Sequence, residues 1–261
     1  MITLPITVME AQTLLLILIR LGIVIFMLPF FDGNFIPRAV KFPLIAILSI
    51  VFLYYVNIPT LQIPSFSTVY LILLTVKELI YGFTLGICTR IIFMAIRIGL
   101  EFTNIQIGFS MANVIDPTSG MQAGAITNFF YLIALLFFLL FNGHIAVIRS
   151  LAESFSLLPV GDFTWSARLA QDVLSYSGTM FYLAFKISAP VVSAMIVLTL
   201  AMALVGKAVP TMNLMLFAFP IKIAVGFIFL LLILELLAFE IKDYSGGITS
   251  FMGAITKMSA P

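Results

Sequence analysis

Charge is what this chain has least of. Only 9% of its 261 residues are Asp, Glu, Lys or Arg, against roughly 25% in a soluble domain. With 62% hydrophobic residues and a mean hydropathy of +1.22, the chain belongs in a bilayer or inside an apolar assembly rather than alone in water. The net charge of +2 and the lack of any basic run give nucleic acid no footing. Cys88 is the one cysteine, so no internal disulfide forms; set in an apolar block, it reads as a packing residue rather than a reactive thiol. One histidine, His144, cannot build a His/Cys metal site with it. A Ser-His-Asp triad would have to use His144, but Asn142-Gly143-His144 reads better as a helix end, with the imidazole near the negative C-terminal dipole. No Gly-rich loop closes on Lys-Ser or Lys-Thr to cradle phosphate. The chain is therefore not expected to be an enzyme, and no cofactor is expected. No basic region precedes the first apolar run, and the first Lys or Arg is Arg20, deep inside it. The run is expected to be a first membrane segment and not a cleaved signal.

Against these absences stand six apolar runs, at residues 11–31, 44–56, 69–96, 125–141, 180–205 and 214–239. They predict an all-α fold of polytopic, membrane-type helices. The second run is short for a hydrocarbon core of ~30 Å; the third is long, with room to continue as helix to Glu101. Turn chemistry separates them at Asp32-Gly33-Asn34, at Pro59 and Pro64, at Asn142-Gly143 and over 206–213. The longest connection, 143–179, is mixed. Arg149 and Glu153 are four apart, as are Arg168 and Asp172, which suits pairs on a helix surface. One or two partly amphipathic helices are expected there, broken at Pro159-Val160-Gly161. Arg38 and Lys41 mark the first loop, Arg90 and Arg97 the end of the third run, and Lys207 the last turn, while 57–68 carries no charge. By the positive-inside rule both termini then lie outside the cytoplasm.

The anomaly is charge inside the apolar runs, at Arg20, Lys77, Glu78, Lys186, Lys222 and Glu235. A Lys, Arg or Asp facing lipid at a helix centre costs ~2.5–3.5 kcal/mol on insertion scales. These positions are expected to face protein or a wet path. Lys77 and Glu78 are sequence neighbours and point about 100° apart on a helix, so each needs a partner from elsewhere. Viewed on the isolated chain, at least two of Lys77, Glu78 and Lys222 are expected to look unpaired or exposed, among broad apolar patches. Gly82 and Gly86 form a small-xxx-small pattern that permits close helix approach.

The stretch Ile105 to Gly124, IQIGFSMANVIDPTSGMQAG, is too polar and too broken to continue the runs beside it. Gly108, Gly120 and Gly124 loosen the backbone, and Asp116-Pro117 starts a turn. Yet Phe109, Met111, Val114, Ile115 and Met121 make it too apolar for an ordinary water-facing loop. Two readings stay open on composition: a re-entrant loop that only closes a turn, or an adaptable apolar tip that presses into a hole.

GFSMANVIDPTSG at 108–120, then Phe141-Asn-Gly-His144 and Leu158-Pro-Val-Gly161, resemble the FliR family of flagellar export-gate proteins and its virulence type III secretion relatives. Pro37-Arg38-Ala-Val-Lys41 fits the same pattern, so the match follows nearly the whole chain. The resemblance implies a multi-pass subunit of the bacterial inner membrane and the flagellar basal body. It implies assembly with FliP and FliQ, joined by FlhB, into a conical ring that passes unfolded flagellar proteins outward. It also implies that about 106–122 is a plug across the pore, carried by Gln106, Gly108, Phe109, Ser110, Met111, Asn113, Val114, Ile115, Asp116, Pro117, Gly120 and Met121. Ala189-Pro190, the turn over 206–213 and Phe219-Pro220-Ile221-Lys222-Ile223 are similar to the helical hairpin of FliQ. On that likeness residues 1–178 are a FliP-like part and 179–261 a FliQ-like hairpin with a C-terminal tail. Subunit interfaces are expected at Lys77, Glu78, Gly82, Gly86, Lys186, Lys207, Pro220 and Lys222, with Lys207 at a cytoplasmic tip near FlhB. Membrane lipid would cover the rest. The competing reading is a stand-alone secondary transporter or channel using Lys77, Glu78 and Lys222 as coupling groups.

Overall fold

The computed structural model describes residues 7–31, 36–56, 58, 68–108, 124–209 and 214–259. Among these residues all regular structure is helical: α1 (Val8–Met27), a 3-10 turn (Pro29–Phe31), α2 (Arg38–Tyr55), α3 (Thr68–Ile107), α4 (Ala125–Leu140), α5 (Gly143–Leu157), α6 (Ala167–Ala208) and α7 (Leu214–Met258). Five of them, α1, α2, α3, α6 and α7, are long and apolar enough to cross a membrane; α4 with α5 makes a sixth if the pair counts as one span.

Each boundary has a local cause. α1 starts before residue 11 because Thr7 and Glu10 form a capping box. The Glu10 carboxylate accepts the Thr7 N–H at 2.8 Å, and the Thr7 hydroxyl accepts the Glu10 N–H at 3.3 Å. α2 starts at Arg38 and not at 44, behind an extended N-cap at Pro37. Arg38 and Lys41 therefore lie in the first turn of a helix, not in a loop. Lys41 is buried and donates its ammonium to the Phe31 carbonyl.

The third and last helices outrun their apolar stretches for one reason: the buried stripe continues where hydrophobicity falls. On α3 it passes on from Ile96 through Leu100, Thr103 and Ile107, alternately four and three residues apart. On α7 it runs past 239 through Ile241, Ser245, Ile248, Met252 and Ile255 at the same spacing. Gly246, Gly247 and Gly253 face open space on that segment. Packing of the opposite face overrides their poor helix propensity. The connection expected at 143–179 is one helix, a break at 158–166, and then the early start of α6 at Ala167.

The chain divides into two compact units. The first is Met1–Ile91 with Asn142–Ser177 and Tyr244–Pro261. Its core joins Leu16, Leu21 and Val24 of α1, Phe52 of α2, Val147, Leu151 and Phe155 of α5, and Met252 of α7. Phe52 meets Phe155 edge-on at 5.9 Å. The second is Ile92–Phe141 with Gly178–Asp243. Phe93 and Phe138 pack edge-on at 5.1 Å, and Phe102 stacks on Phe185 at 5.5 Å. A Cβ on Gly99 would sit 2.8 Å from the Ala184 carbonyl oxygen, so α3 and α6 touch backbone to backbone.

Candidate functional site

In the first unit a buried charge cluster binds four segments together. Arg20 of α1 and Glu78 of α3 are fully buried and form a two-pronged ion pair, Nε to Oε2 at 2.6 Å and Nη2 to Oε1 at 2.9 Å. The third guanidinium nitrogen, Nη1, donates to the Leu158 carbonyl at 3.1 Å. Glu78 Oε1 also accepts the Gly161 N–H at 2.8 Å, and Lys77 Nζ donates to the Gly161 carbonyl at 3.2 Å. Gly161 has φ +90°, a conformation that only glycine adopts freely. The Arg20 guanidinium lies 4.2 Å from the Phe155 ring centroid and 4.6 Å from that of Tyr81. The Tyr81 hydroxyl pairs with that of Thr256 at 2.7 Å, bringing in the end of α7. Leu158-Pro-Val-Gly161 is thus a receptor for a buried ion pair.

This corrects the expectation for the three charges. Glu78 is paired inside the chain, Lys77 is half-buried and bonded, and of the three only Lys222, half-buried, has no partner among the described residues. Gly82 and Gly86 do permit close approach, but to the chain's own α1. A Cβ on Gly82 would lie 3.2 Å from the Arg20 carbonyl oxygen, and one on Gly86 2.6 Å from Met27 Sδ. Glu78, Gly82 and Gly86 are buried against α1 within this chain. Lys186, Lys207 and Pro220 are exposed. Lys186 pairs with the nearly buried Glu240 at 2.6 Å. His144 is also placed differently: Asn142, in the left-handed region at φ 58°, ends one helix, and His144 falls in the first turn of α5, at a positive dipole end.

The second unit holds the end of α3 and the start of α4, the two described flanks of residues 109–123. Ile107 is fully buried against α7, where a Cβ on Gly226 would come within 2.7 Å of its side chain. Gly108 turns the chain with φ +96°, donates to the carbonyls of Asn104 at 3.3 Å and Ile105 at 3.1 Å, and lies beside the Phe219 ring. On the return side, the buried Thr127 hydroxyl of α4 donates to Glu101 Oε2 of α3 at 3.1 Å. Gln106 lines an apolar groove of about 450 Å³ together with Phe102, Phe185 and Val192. Of the expected plug residues, Gln106 and Gly108 are placed; Phe109, Ser110, Met111, Asn113, Val114, Ile115, Asp116, Pro117, Gly120 and Met121 lie outside the described residues. Glu101, Thr127, Phe219 and Gly226 pack at these flanks, and sequence reasoning connected none of them with the loop.

α6 and α7 are antiparallel in this unit. Lys186 meets Glu240, while Pro190 to Ala201 share a cavity wall with Val225 and Phe229. No group of three or more His, Cys, Asp or Glu able to hold a metal ion occurs among the described residues.

Long apolar helices, a buried ion pair between two of them and many exposed apolar side chains define a multi-pass membrane protein. The chain belongs to the FliR family: the family model described as bacterial export proteins, family 1, matches residues 11–246. It is 31% identical over 233 residues to the flagellar biosynthetic protein FliR of Aquifex aeolicus, covering 89% of each chain. It is 30% identical over 237 residues to the flagellar biosynthetic protein FliR of Bacillus subtilis, covering 88% of each. The surface presentation of antigens protein SpaR of Shigella sonnei is 22% identical over 194 residues, 74% of each.

Proposed function

We propose that the chain is a structural, pore-forming subunit of the flagellar protein export gate in the bacterial inner membrane, assembled with FliP and FliQ and contacted by FlhB. The observation that carries this reading is the root of the 109–123 loop. An apolar, glycine-loosened segment leaves a fixed Gly108 turn and returns to a helix held by Thr127 and Glu101. Such a segment, anchored at both ends and rich in Phe and Met, suits a seal that yields when a polypeptide passes. The outer faces support an assembly. Tyr55, Leu136, Leu204 and Leu231 are all more than 60% exposed on the isolated chain, more apolar surface than a free-standing molecule leaves open. The 179–261 segment acts as the FliQ-like hairpin, with the exposed Lys207 at its tip.

The transporter alternative loses its best coupling group. A coupling carboxylate must meet water or substrate, whereas Glu78 is fully buried with its oxygens taken by Arg20 and Gly161. Co-expression tests the proposal. The chain is expected to purify with FliP and FliQ, and a cysteine at Lys207 to crosslink to FlhB. A chain that purifies alone, or whose Lys207 position captures only a periplasmic protein, overturns it.

A further inference from the structure

The last apolar helix carries one carboxylate that nothing among the described residues explains. From Ile223 to Ile241, α7 holds two charged residues, Glu235 and Glu240. Glu240 is 6% exposed and paired with Lys186 at 2.6 Å. Glu235 is exposed and has no hydrogen-bond or ion-pair partner among the described residues. Five residues separate the two, which turns Glu235 about 140° around the helix from Glu240. It therefore points away from α6. Its neighbours on that side are apolar and open: Ile228 at 61%, Leu231 at 65%, Leu232 at 56% and Phe239 at 63% exposure. The basic groups of α7 do not reach it. Lys242 is seven residues on, about 10 Å along the axis, and Lys222 is thirteen back, about 20 Å.

Hydrocarbon offers a carboxylate neither water nor a donor, so a face of this composition is poorly suited to lipid. It suits another polypeptide that covers the apolar residues and brings a donor to the acid. We propose that the Ile228–Phe239 face of α7 docks an apolar helix of a second, different chain of the assembly, which presents a Lys or Arg to Glu235. This rests on the gate-subunit reading and names one of its contact surfaces together with the chemistry of the partner. Charge complementarity selects the partner: the acid sits alone in an apolar face, so the matching helix carries a single basic residue in an apolar run.

The test uses the complex purified from co-expressing membranes. A photoreactive residue in place of Leu232 is expected to crosslink to another chain, within a turn or two of a Lys or Arg. Glu235→Lys is expected to lower the yield of assembled complex about tenfold or more. Glu235→Gln, which still hydrogen-bonds, is expected to lower it by about threefold or less. An acid placed at the mapped basic residue should restore assembly of Glu235→Lys. Crosslinking to lipid alone, or wild-type assembly of Glu235→Lys, overturns the proposal while leaving the gate reading intact. Should Glu235→Lys fail to insert, the Leu232 crosslink in the otherwise unchanged chain still decides. A wild-type chain that purifies without partners removes the gate reading and this inference together.

Discussion

Arg20 and Glu78 show how a membrane-type chain hides charge. Each would be expensive alone in an apolar interior; together, with Leu158, Gly161 and two rings around them, they leave few bonds unmade. Removing one partner by Glu78→Ala strands a buried guanidinium and is expected to destabilise by about 3–5 kcal/mol. Replacing both, as Arg20→Met with Glu78→Leu, should recover most of that loss, since a well-packed apolar pair often matches a buried ion pair. Thermal unfolding of the purified complex reads the difference, and a neutral Glu78→Ala would contradict the assignment. Gly99→Val drives a side chain into the Ala184 carbonyl oxygen and is expected to cost about 1–3 kcal/mol in the same assay. The need of Lys77 and Glu78 for partners elsewhere was legible in the sequence, from their adjacency on one helix. That those partners are Arg20 and Gly161 was not, because they lie 58 and 83 residues away and only the fold brings them together. The sequence-based reading assigned Glu78, Gly82 and Gly86 to subunit interfaces; in the structure they pack against the chain's own α1.

At the scale of elements, the positions of the apolar runs were well marked but their ends were not. Hydropathy follows the greasy part of a helix, whereas helices end where caps and packing end. The Thr7–Glu10 box was readable as Thr-x-x-Glu before an apolar run, and it sets the start of α1. The end of α7 was readable as a four-three repeat from Ile241 to Ile255 that three glycines disguised. That segment is expected to respond by face. Met252→Ala, on the buried side, should destabilise by about 2–5 kcal/mol. Gly247→Ala, where a Cβ meets nothing within 4 Å, should be neutral or stabilise by up to about 1 kcal/mol in the isolated chain. Denaturant or thermal melts of the two variants check the pair; a destabilising Gly247→Ala would mean that face is occupied. α6 ends at Ala208 and α7 starts at Leu214, and the two pack antiparallel, as a short connection between two long apolar runs favours.

At the scale of the whole chain, many large apolar side chains remain exposed beside the apolar cores, a surface suited to cover by lipid or other subunits. The motif at 108–120 carried the family likeness in sequence, and in the structure Gly108 follows α3 and Gly124 precedes α4. Its anchors were not legible: Ile107 against Gly226 and Thr127 against Glu101 join residues that no local pattern connects. The central claim is that this loop seals a protein-conducting path. Its most direct test is membrane permeability of cells that hold the assembled complex with residues 108–122 deleted. The account predicts that such complexes assemble and leak small ions or dyes, while the intact ones do not. Assembled deletion complexes as tight as the wild type would contradict it.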